Sequence, residues 1–431
     1  MYPDFEFFLE SIFNTDFPEW LSIFKMFGFM VAMGFIVAAW TITAELKRKE
    51  KQGLLHPTYS TITVGEPLKT SDLVVSIILG FILGYKVGGL FSNIAEAAPD
   101  PLEFLLSTKG NLIVGILGAG LFGYMKYSDK KKQELPKPEQ RKVATYPHQR
   151  VFEIVFIAAV GGLVGAKVFN ALETWEDFLK DPIANLFSSS GLTFYGGLIV
   201  ATAALYYYSK KKGIPFKHLC DATAPGLILS YGIGRLGCQV AGDGDWGILN
   251  AAYISLPDGS LQAATLAEFK MRLQEASGYF TREFGSLQNV PYSYVQAPSW
   301  LPDWMFAMNY KHNIHNEGMQ ILGCTGKYCG VLPVGVFPTP IYETTLGIII
   351  FFILWQIRKR LKYAWQMFGT YLIFNGLERF FIEKMRVNFK YDWGFLHPTQ
   401  AEIISFGLIL GGIALLIYAN KKKDKLAPTA D

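Results

Sequence analysis

Charged residues are scarce in this sequence of 431 residues, and so are histidines and cysteines. Lys, Arg, Asp and Glu make up 18% of the chain, against about a quarter in an average soluble protein. The six histidines are scattered, the four cysteines form no CxxC pair, and no spacing is typical of metal ligands. The net charge of +4 is too small to indicate a nucleic-acid-binding protein. We therefore expect no cofactor and no nucleic-acid partner.

A basic leader is also missing. The N-terminal stretch MYPDFEFFLESIFNTDF is acidic and lacks the positively charged start of a cleaved signal peptide. We therefore expect the first apolar segment to stay in the protein.

Hydrophobic residues, in contrast, make up 51% of the chain and concentrate in long runs. A helix that crosses a bilayer needs about 20 mostly apolar residues. The sequence predicts an all-α polytopic membrane protein with about nine transmembrane helices, the sixth of them broken by Pro225 and several glycines. The expected spans are residues 21–44, 72–92, 110–127, 151–170, 191–208, 217–238, 341–357, 364–384 and 400–419.

Basic residues occupy every second connection between these spans and follow the last one. Positive charges mark the cytoplasmic side of a membrane protein, so the pattern predicts an outer N-terminus and a cytoplasmic C-terminus. Acidic connections such as NIAEAAPDPLEF and ETWEDFLKDP fall on the opposite side. The basic stretches are residues 45–52, 126–142, 209–217, 358–362 and 421–425.

The polar segment 239–340 then lies outside the cytoplasm. It is rich in Trp, Tyr, Pro and Asn, and we expect it to form a small extracytoplasmic head on a single integral membrane domain, 1–431. Cys324 and Cys329 fall in this segment, where thiols oxidise. They either form a disulfide that closes a short loop or remain two free thiols.

One short pattern occurs twice. GFILGYKV (80–87) and GGLVGAKV (161–168) both place GxxxGxKV in an expected span. Small residues four positions apart allow helices to pack closely. We interpret the similarity as shared packing chemistry rather than as a duplication.

Several ionisable residues fall inside or at the ends of expected spans, where each costs roughly 2.5–3.5 kcal/mol on insertion scales. Arg379, Glu383 and Arg386 are spaced to share one helix face. They indicate either an arginine–glutamate pair that locks two helices or a functional site, and Arg386 could instead reach the headgroups. The others are Arg235, Asp243, Asp245 and Glu343.

Arg235 is surrounded by glycines in SYGIGRLGCQVAGDGDWG. Exposed backbone N–H groups beside a guanidinium form an anion site. Non-helical backbone at membrane depth is tolerated only along a cavity. The pattern favours a polar cavity near the outer leaflet that binds a lipid phosphate, and the alternative is a glycine-rich helix crossing with one paired arginine.

Five segments together resemble the prolipoprotein diacylglyceryl transferase family. FKMFGFMVAMGF looks like its opening span, and YGIGRLGCQVAGDGDWG looks like its signature, in which Arg235 and Gly247 match and Cys238 replaces an asparagine. Three further segments are similar: GLTFYGGLIV, FPTPIYE with Tyr342 and Glu343, and ERFFIEKMR with Arg379, Glu383 and Arg386. Gln400 fits a glutamine that opens the family's last span.

The sequence also departs from the family pattern. Tyr195 and Phe337 stand where the family has histidines, and Phe27 stands where it usually has a tyrosine. The family usually has seven spans, so we interpret residues 53–147 as an insertion of two helices. The resemblance implies a protein of the bacterial cytoplasmic membrane.

The resemblance implies a reaction as well. The thiol of a lipobox cysteine attacks the glyceryl carbon of phosphatidylglycerol, a thioether forms, and glycerol phosphate leaves. The implied partners are phosphatidylglycerol and prolipoprotein signal peptides. The implied catalytic residues are Arg235, Arg379, Tyr195 and Glu383, and the implied substrate-binding residues are Arg235, Arg379, Gly247, Glu343, Asp243, Arg386, Tyr342 and Gln400.

The base that deprotonates the thiol stays open at this point. Tyrosine has an unperturbed pKa near 10, so Tyr195 either acts as a base beside cations or donates a hydrogen bond to the headgroup. Glu343, Glu383, Asp243 and His397 are the other candidates. We interpret Cys238 as a packed hydrophobic residue rather than a nucleophile.

Two other functions remain as alternatives. Broken glycine-rich spans and intramembrane arginines are also typical of secondary transporters, here for an anionic solute. A catalytically inactive lipid-binding relative is the third interpretation, because two expected polar residues have changed.

Overall fold

The computed structural model describes residues 1–188, 191–388, 390–394 and 396–423. This part of the chain is mostly helical, which agrees with the expected class. In chain order the helices are α1 (Phe5–Phe13), α2 (Met26–Lys51), α3 (Thr70–Ser92), α4 (Ile94–Ala97), α5 (Pro101–Leu106), α6 (Leu112–Gln133), α7 (Val151–Glu173), α8 (Trp175–Lys180), α9 (Pro182–Phe187), α10 (Phe194–Lys211), α11 (Phe216–Ala241), α12 (Leu266–Glu275), α13 (Ser277–Phe284), α14 (Thr339–Ile357), α15 (Gln366–Glu383) and α16 (Gln400–Lys422).

Five helices in the described residues are long and apolar enough to cross a membrane. They are α2, α3, the stretch Pro147–Glu173 that includes α7, α14 and α16. The other four expected spans coincide with α6, α10, α11 and α15, whose sequences contain more polar and charged residues. The chain is therefore a polytopic helical membrane protein.

The prediction of an all-α chain was wrong in one respect, because short strands lie outside the helices. The sequence of one of them, TYSTITV, is rich in β-branched residues, which favour extended backbone where no apolar helix competes. The strands are β1 (Thr58–Val64), β2 (Glu139–Thr145), β3 (Leu249–Ser255), β4 (Leu261–Ala263), β5 (Tyr292–Ser293), β6 (Met319–Gln320), β7 (Gly330–Val331) and β8 (Val334–Val336).

The chain forms two compact units. The first comprises residues 1–15, 24–45 and 217–431, and the second comprises residues 16–23 and 46–216. The described part of the first unit contains α11, α14, α15 and α16 together with the segment that joins α11 to α14.

That joining segment has its own sheet and core. Strand β3 pairs with β4 and β8 in antiparallel fashion and with β5 in parallel. Cys324 and Cys329 form a disulfide in the same segment. The sheet packs on α12 and α13 around a core of Leu249, Ala251, Phe269, Leu273, Phe280, Val290, Tyr310, Leu332, Val334 and Val336.

Helix α11 is continuous, so the expected break at Pro225 does not occur. Proline removes one backbone N–H donor but can be tolerated where neighbouring helices support the turn. The side chain of Asp221, one turn earlier, accepts the backbone N–H groups of Trp365 and Phe368, each at 3.0 Å. Helix α11 thereby fixes the start of α15.

Helices α11 and α14 approach closely at two glycines. A Cβ atom on Gly347 would lie 3.2 Å from the Cα atom of Gly232. The hydroxyl of Thr344 donates to the carbonyl of Gly232 at 3.0 Å. This contact places Arg235 of α11 beside Glu343 of α14.

The second unit contains two helical hairpins, α3–α6 and α7–α10, and the antiparallel pair β1–β2. In each hairpin the first helix carries a lysine that donates into the connecting loop. Lys86 donates to the carbonyls of Ser107 and of Lys109. Lys167 donates to the carbonyl of Asn185 at 3.3 Å and to the hydroxyl of Ser188 at 3.0 Å.

Candidate active site

A buried carboxylate, Glu343 of α14, is the centre of the candidate site. Its side chain has no exposed surface. Arg235 Nε lies 3.3 Å from one carboxylate oxygen, while Arg379 Nη1 at 3.2 Å and Arg386 Nη1 at 3.5 Å approach the other. The hydroxyl of Tyr231 donates to the same oxygen at 2.9 Å. Three guanidinium groups from separate parts of the chain thus converge on one residue.

Asp245 joins two of these arginines. Its carboxylate receives Arg235 on one oxygen and Arg386 on the other. Burial opposes ionisation of Asp245, but the two guanidinium groups outweigh it and hold the pKa of that carboxyl below its usual value. The turn that carries Asp245 has Gly242 and Gly244 at φ of +66° and +90°, a conformation that other residues rarely adopt.

Arg379 also pairs with Glu383, as expected. Arg379 Nη2 lies 3.0 Å from Glu383 Oε2, and the amide of Asn388 donates to Glu383 Oε1 at 2.7 Å. The expectation of one shared helix face was wrong for Arg386, because α15 ends at Glu383. Arg386 lies beyond the helix, is half-buried, and contacts Asp245 and Glu343 rather than extending towards headgroups.

Gly247 allows the two chain segments at the site to meet. Its backbone forms a β-bridge with Arg386 and its N–H donates to the carbonyl of Phe337 at 2.8 Å. A Cβ atom at this position would lie 2.6 Å from the carbonyl oxygen of Met385 and 2.9 Å from the side chain of Thr339. Only glycine fits this approach without a shift of the backbone.

Three other predicted residues of the first unit make their described contacts elsewhere, and a fourth belongs to the second unit. The hydroxyl of Tyr342 donates to the carbonyl of Met305. Gln400 is exposed in the first turn of α16, which Thr399 and Glu402 cap. His397 is largely exposed and faces Asp392 at 3.4 Å. Tyr195 belongs to the second unit, in the first turn of α10.

Asp243 lies beside Asp245 and Cys238. Burial, and then the charge of Asp245, raise the pKa of Asp243. One ligand atom from each of Cys238, Asp243 and Asp245 falls within 4.8 Å of the others, the spacing of a metal site. The two guanidinium groups on Asp245 disfavour a cation there, so we assign no metal to this cluster.

Three residues of the cluster were absent from the predicted site. Tyr231 is one helical turn before Arg235, Glu378 directly precedes Arg379, and Asp245 was noted only as a charge. Tyr231 links the two helices through hydrogen bonds to Glu343 and, at 3.2 Å, to Glu378. Helical spacing from Arg235 would have identified Tyr231, and Glu378 is itself an ionisable residue in an expected span.

A cavity of about 230 Å³ adjoins the cluster. Its lining includes Arg386, Gly247, Trp246, Tyr279 and Glu317. Burial, and to a lesser extent Glu283, raise the pKa of Glu317 in this cavity. The arginine cluster therefore opens into a polar hollow formed by the segment between α11 and α14.

The described part of the chain defines a polytopic membrane protein with a buried cluster of arginines and carboxylates near the ends of three helices. The model of the prolipoprotein diacylglyceryl transferase family matches residues 112–418, which is most of the chain. The chain belongs to this family, and the resemblance seen in the sequence is confirmed. This membership does not favour the transporter alternative.

Relatives across bacteria agree with this assignment. The chain is 25% identical over 286 residues to a protein of Stenotrophomonas maltophilia, covering 63% of this chain and 75% of the relative. It is 26% identical over 275 residues to one of Clostridioides difficile, covering 63% and 79%, and 24% identical over 279 residues to one of Leptospira interrogans, covering 59% and 66%. All three are named phosphatidylglycerol–prolipoprotein diacylglyceryl transferase.

Proposed function

We infer that this protein transfers the diacylglyceryl group of phosphatidylglycerol to the cysteine of prolipoproteins. The observation that carries this inference is the convergence of Arg235, Arg379 and Arg386 on Glu343 and Asp245 in a member of this family. The thiol gives its proton to a base, its sulfur forms a bond to the glyceryl carbon, the bond from that carbon to the phosphate oxygen breaks, and glycerol phosphate leaves with the electron pair.

The arginines keep N–H groups available for the phosphate. A guanidinium has five N–H donors, and the contacts of Arg235 and Arg379 with carboxylates use two nitrogens of each. Their side chains are 19% and 24% exposed, so the remaining donors are accessible. We propose that the carboxylates orient the guanidinium groups and that the remaining donors hold the lipid phosphate and stabilise its charge as the bond breaks.

The other predicted site residues take roles that follow from their positions. Gly247 lets the turn approach Arg386, Glu343 and Glu383 orient the arginines, and Asp243 is a candidate proton acceptor near the turn. Tyr342 and Gln400 are proposed to contact substrate only on the rim. We propose Tyr195 as a hydrogen-bond donor to the headgroup, where the family has a histidine.

We propose that the nine long helices of the described residues all cross the bacterial cytoplasmic membrane, with the N-terminus outside and the C-terminus in the cytoplasm. Basic connections fall on one side in this arrangement. The segment 239–340 then forms an extracytoplasmic head, and the disulfide between Cys324 and Cys329 fits an oxidising compartment. The arginine cluster would lie near the outer leaflet, where prolipoprotein signal peptides emerge.

We also propose that residues 53–147 are an insertion made by duplicating the neighbouring hairpin. A constant spacing relates the two hairpins far beyond the GxxxGxKV pattern, and Lys86 and Lys167 contact equivalent serines, Ser107 and Ser188. This replaces the interpretation of shared packing chemistry. The matched pairs are Gly80 and Gly161, Gly84 and Gly165, Lys86 and Lys167, Asp100 and Asp181, Pro101 and Pro182, Ser107 and Ser188, Gly110 and Gly191, and Gly115 and Gly196.

A lipidation assay tests the proposed activity. Purified protein is incubated with phosphatidylglycerol and a lipobox peptide, and the mass of the peptide is measured. We expect a mass shift of one diacylglyceryl group, which Arg235→Ala and Arg379→Ala abolish, while Arg282→Ala, an exposed arginine outside the cluster, retains it. Wild-type protein that folds and gives no shift would indicate an inactive relative instead.

A further inference from the structure

Glu378 is a buried carboxyl group that none of the described ion pairs includes. It lies in α15, is 4% exposed, and directly precedes Arg379. One of its oxygens lies 3.2 Å from the hydroxyl of Tyr231, and the other, Oε2, is buried with no hydrogen-bond partner in the described part of the chain. An ionised oxygen in that position would be costly in free energy, because no described donor replaces the hydrogen bonds to water that are lost on burial.

The hydroxyl of Tyr231 has one hydrogen to donate and two carboxyl groups within hydrogen-bonding distance. Its hydroxyl oxygen is 2.9 Å from Glu343 and 3.2 Å from Glu378. Three guanidinium groups contact Glu343 and none of the described ion pairs includes Glu378, so Glu343 is the stronger acceptor for the tyrosine hydrogen. The contact with Glu378 is then attractive only if Glu378 itself carries a hydrogen and donates it to the tyrosine oxygen.

The charges around Glu378 point the same way. Tyr231 and Arg235 face it from α11, Glu343 faces it from α14, and Tyr371 and Arg379 lie on α15. From α16, Glu402 is engaged by Lys384. The three positive charges of Arg235, Arg379 and Arg386 balance the negative charges of Asp245, Glu343 and Glu383. An ionised Glu378 would add a negative charge beside Glu343, which like-charge repulsion disfavours.

We propose that Glu378 carries a proton in the resting site and that this proton keeps the cluster from becoming net negative, so that an anionic lipid phosphate can bind. The inference rests on the proposed function, because it concerns the phosphate of the same substrate. Glu378 is a positioning residue here: it acts on the phosphate through the Tyr231–Glu343 contact and the charge of the cluster. Phosphate binding and the protonation of Glu378 are then linked, and each favours the other.

Infrared spectroscopy of the purified protein tests the protonation directly and needs no transferase activity. A neutral carboxylic acid has a carbonyl band that a carboxylate lacks. We expect such a band at neutral pH in the wild type and its loss in Glu378→Gln. A wild-type spectrum that Glu378→Gln leaves unchanged overturns the proposal. If Glu378→Gln does not fold, Tyr231→Phe is the second variant. It removes the hydroxyl that accepts the hydrogen of Glu378, so the carbonyl band of Glu378 must shift.

Binding measurements test the link to phosphate. The titrants are short-chain phosphatidylglycerol, phosphatidylcholine of the same chain length, which has a phosphate but no net charge, and free glycerol phosphate. We expect the affinity of the wild type for phosphatidylglycerol to fall by up to about tenfold per pH unit as pH rises through the titration of Glu378. Glu378→Gln should remove that slope, and Glu402→Gln, a partly buried carboxylate already paired with Lys384, should keep it.

The three titrants and the infrared band together show which part of the proposal fails. A pH slope seen with glycerol phosphate but not with the lipid assigns the site to a free phosphate and contradicts the lipid assignment. A slope that persists in Glu378→Gln overturns the role of Glu378. If no phosphate compound binds while the carboxyl band is present, the proposed function fails and the protonation of Glu378 stands.

Discussion

Arg235 and Arg379 contact different oxygens of a single carboxylate, that of Glu343, at 3.3 Å and 3.2 Å. The two arginines come from α11 and α15, and the carboxylate comes from α14 between them. Glu343 therefore sets the separation of the two guanidinium groups. Each arginine also holds a second carboxylate, Asp245 or Glu383, so neither group is free to rotate.

The need for two contacts per arginine predicts that lysine will not replace arginine. We expect Arg235→Lys and Arg379→Lys to lower the rate of lipidation by about 10²–10³-fold, because an ammonium has no planar fork to bridge two carboxylates and a phosphate. The rate of mass shift on a lipobox peptide measures the loss. Arg282→Lys is the matched control, and a lysine variant with half the wild-type rate would contradict the prediction.

Close packing at Gly247 predicts a loss of stability on adding one methyl group. Gly247→Ala brings Cβ to 2.6 Å from the carbonyl of Met385, a backbone atom that has little room to move. We expect a destabilisation of about 1–3 kcal/mol, measured by thermal unfolding in detergent. Gly278→Ala, where a Cβ meets open space, is the control and should be neutral or stabilising.

The lowered pKa of Asp245 predicts a pH-dependent effect of its removal. Because the folded-state pKa lies below the unfolded value of about 3.9, the stability that Asp245 contributes is present above that value and is lost as pH falls through the folded pKa. We expect Asp245→Asn to be less stable than the wild type at pH 7, with the gap closing in acid.

Asp258→Asn, an exposed loop carboxylate, provides the comparison for Asp245. Its effect on the melting temperature at pH 7 should be small. A gap between Asp245→Asn and the wild type that stays constant down to pH 3 would show that the charge of Asp245 does not stabilise the cluster.

The role of Tyr195 can be read from the size of one mutational effect. We expect Tyr195→Phe to lower lipidation by about tenfold, as the loss of one hydrogen bond does. Loss of a general base would instead cost about 10²–10⁴-fold. Tyr207→Phe, on the exposed surface of the same helix, is the control. Tyr195→His, which places the family's residue there, should retain activity.

The proposed duplication of the hairpin predicts matched effects of two lysines. Lys86→Met and Lys167→Met each remove donors from loop oxygens, and we expect both to destabilise the protein by about 2 kcal/mol. The melting temperature in detergent measures this, with Lys180→Met, an exposed residue, as control. Destabilisation by Lys167→Met alone would count against the equivalence of the two hairpins.

The sequence predicted the long helices and much of the arginine–carboxylate cluster, because a membrane restricts both the length of a helix and the charges within it. Apolar runs of bilayer length leave few structural alternatives, so Arg235, Arg379 and Glu383 stood out as charges in helices. The β-strands were missed because their runs are short and lie in polar connections. The place of Arg386 was missed because periodicity continued past Glu383, where the helix ends.

Other errors came from contacts that no local pattern contains. The loop partners of Lys86 and Lys167 are about 20 positions further along the chain, so four identical letters in a stretch of eight did not reveal the longer correspondence between the two hairpins. Pro225 suggested a broken helix, yet α11 continues through it from Phe216 to Ala241. Glu378 was overlooked because the pairing of Arg379 with Glu383 already accounted for that stretch.

Asp221 accepts both backbone N–H groups at the start of α15, at the end of the helix opposite Arg379. A helix of 18 residues is about 27 Å long, so this anchor is remote from the carboxylates. The helix is rigid along its axis, and a slip at its first turn would carry the guanidinium at its last turn out of register with Glu343. A screen for variants that lose lipidation should therefore recover substitutions at Asp221 as well as at the arginines themselves.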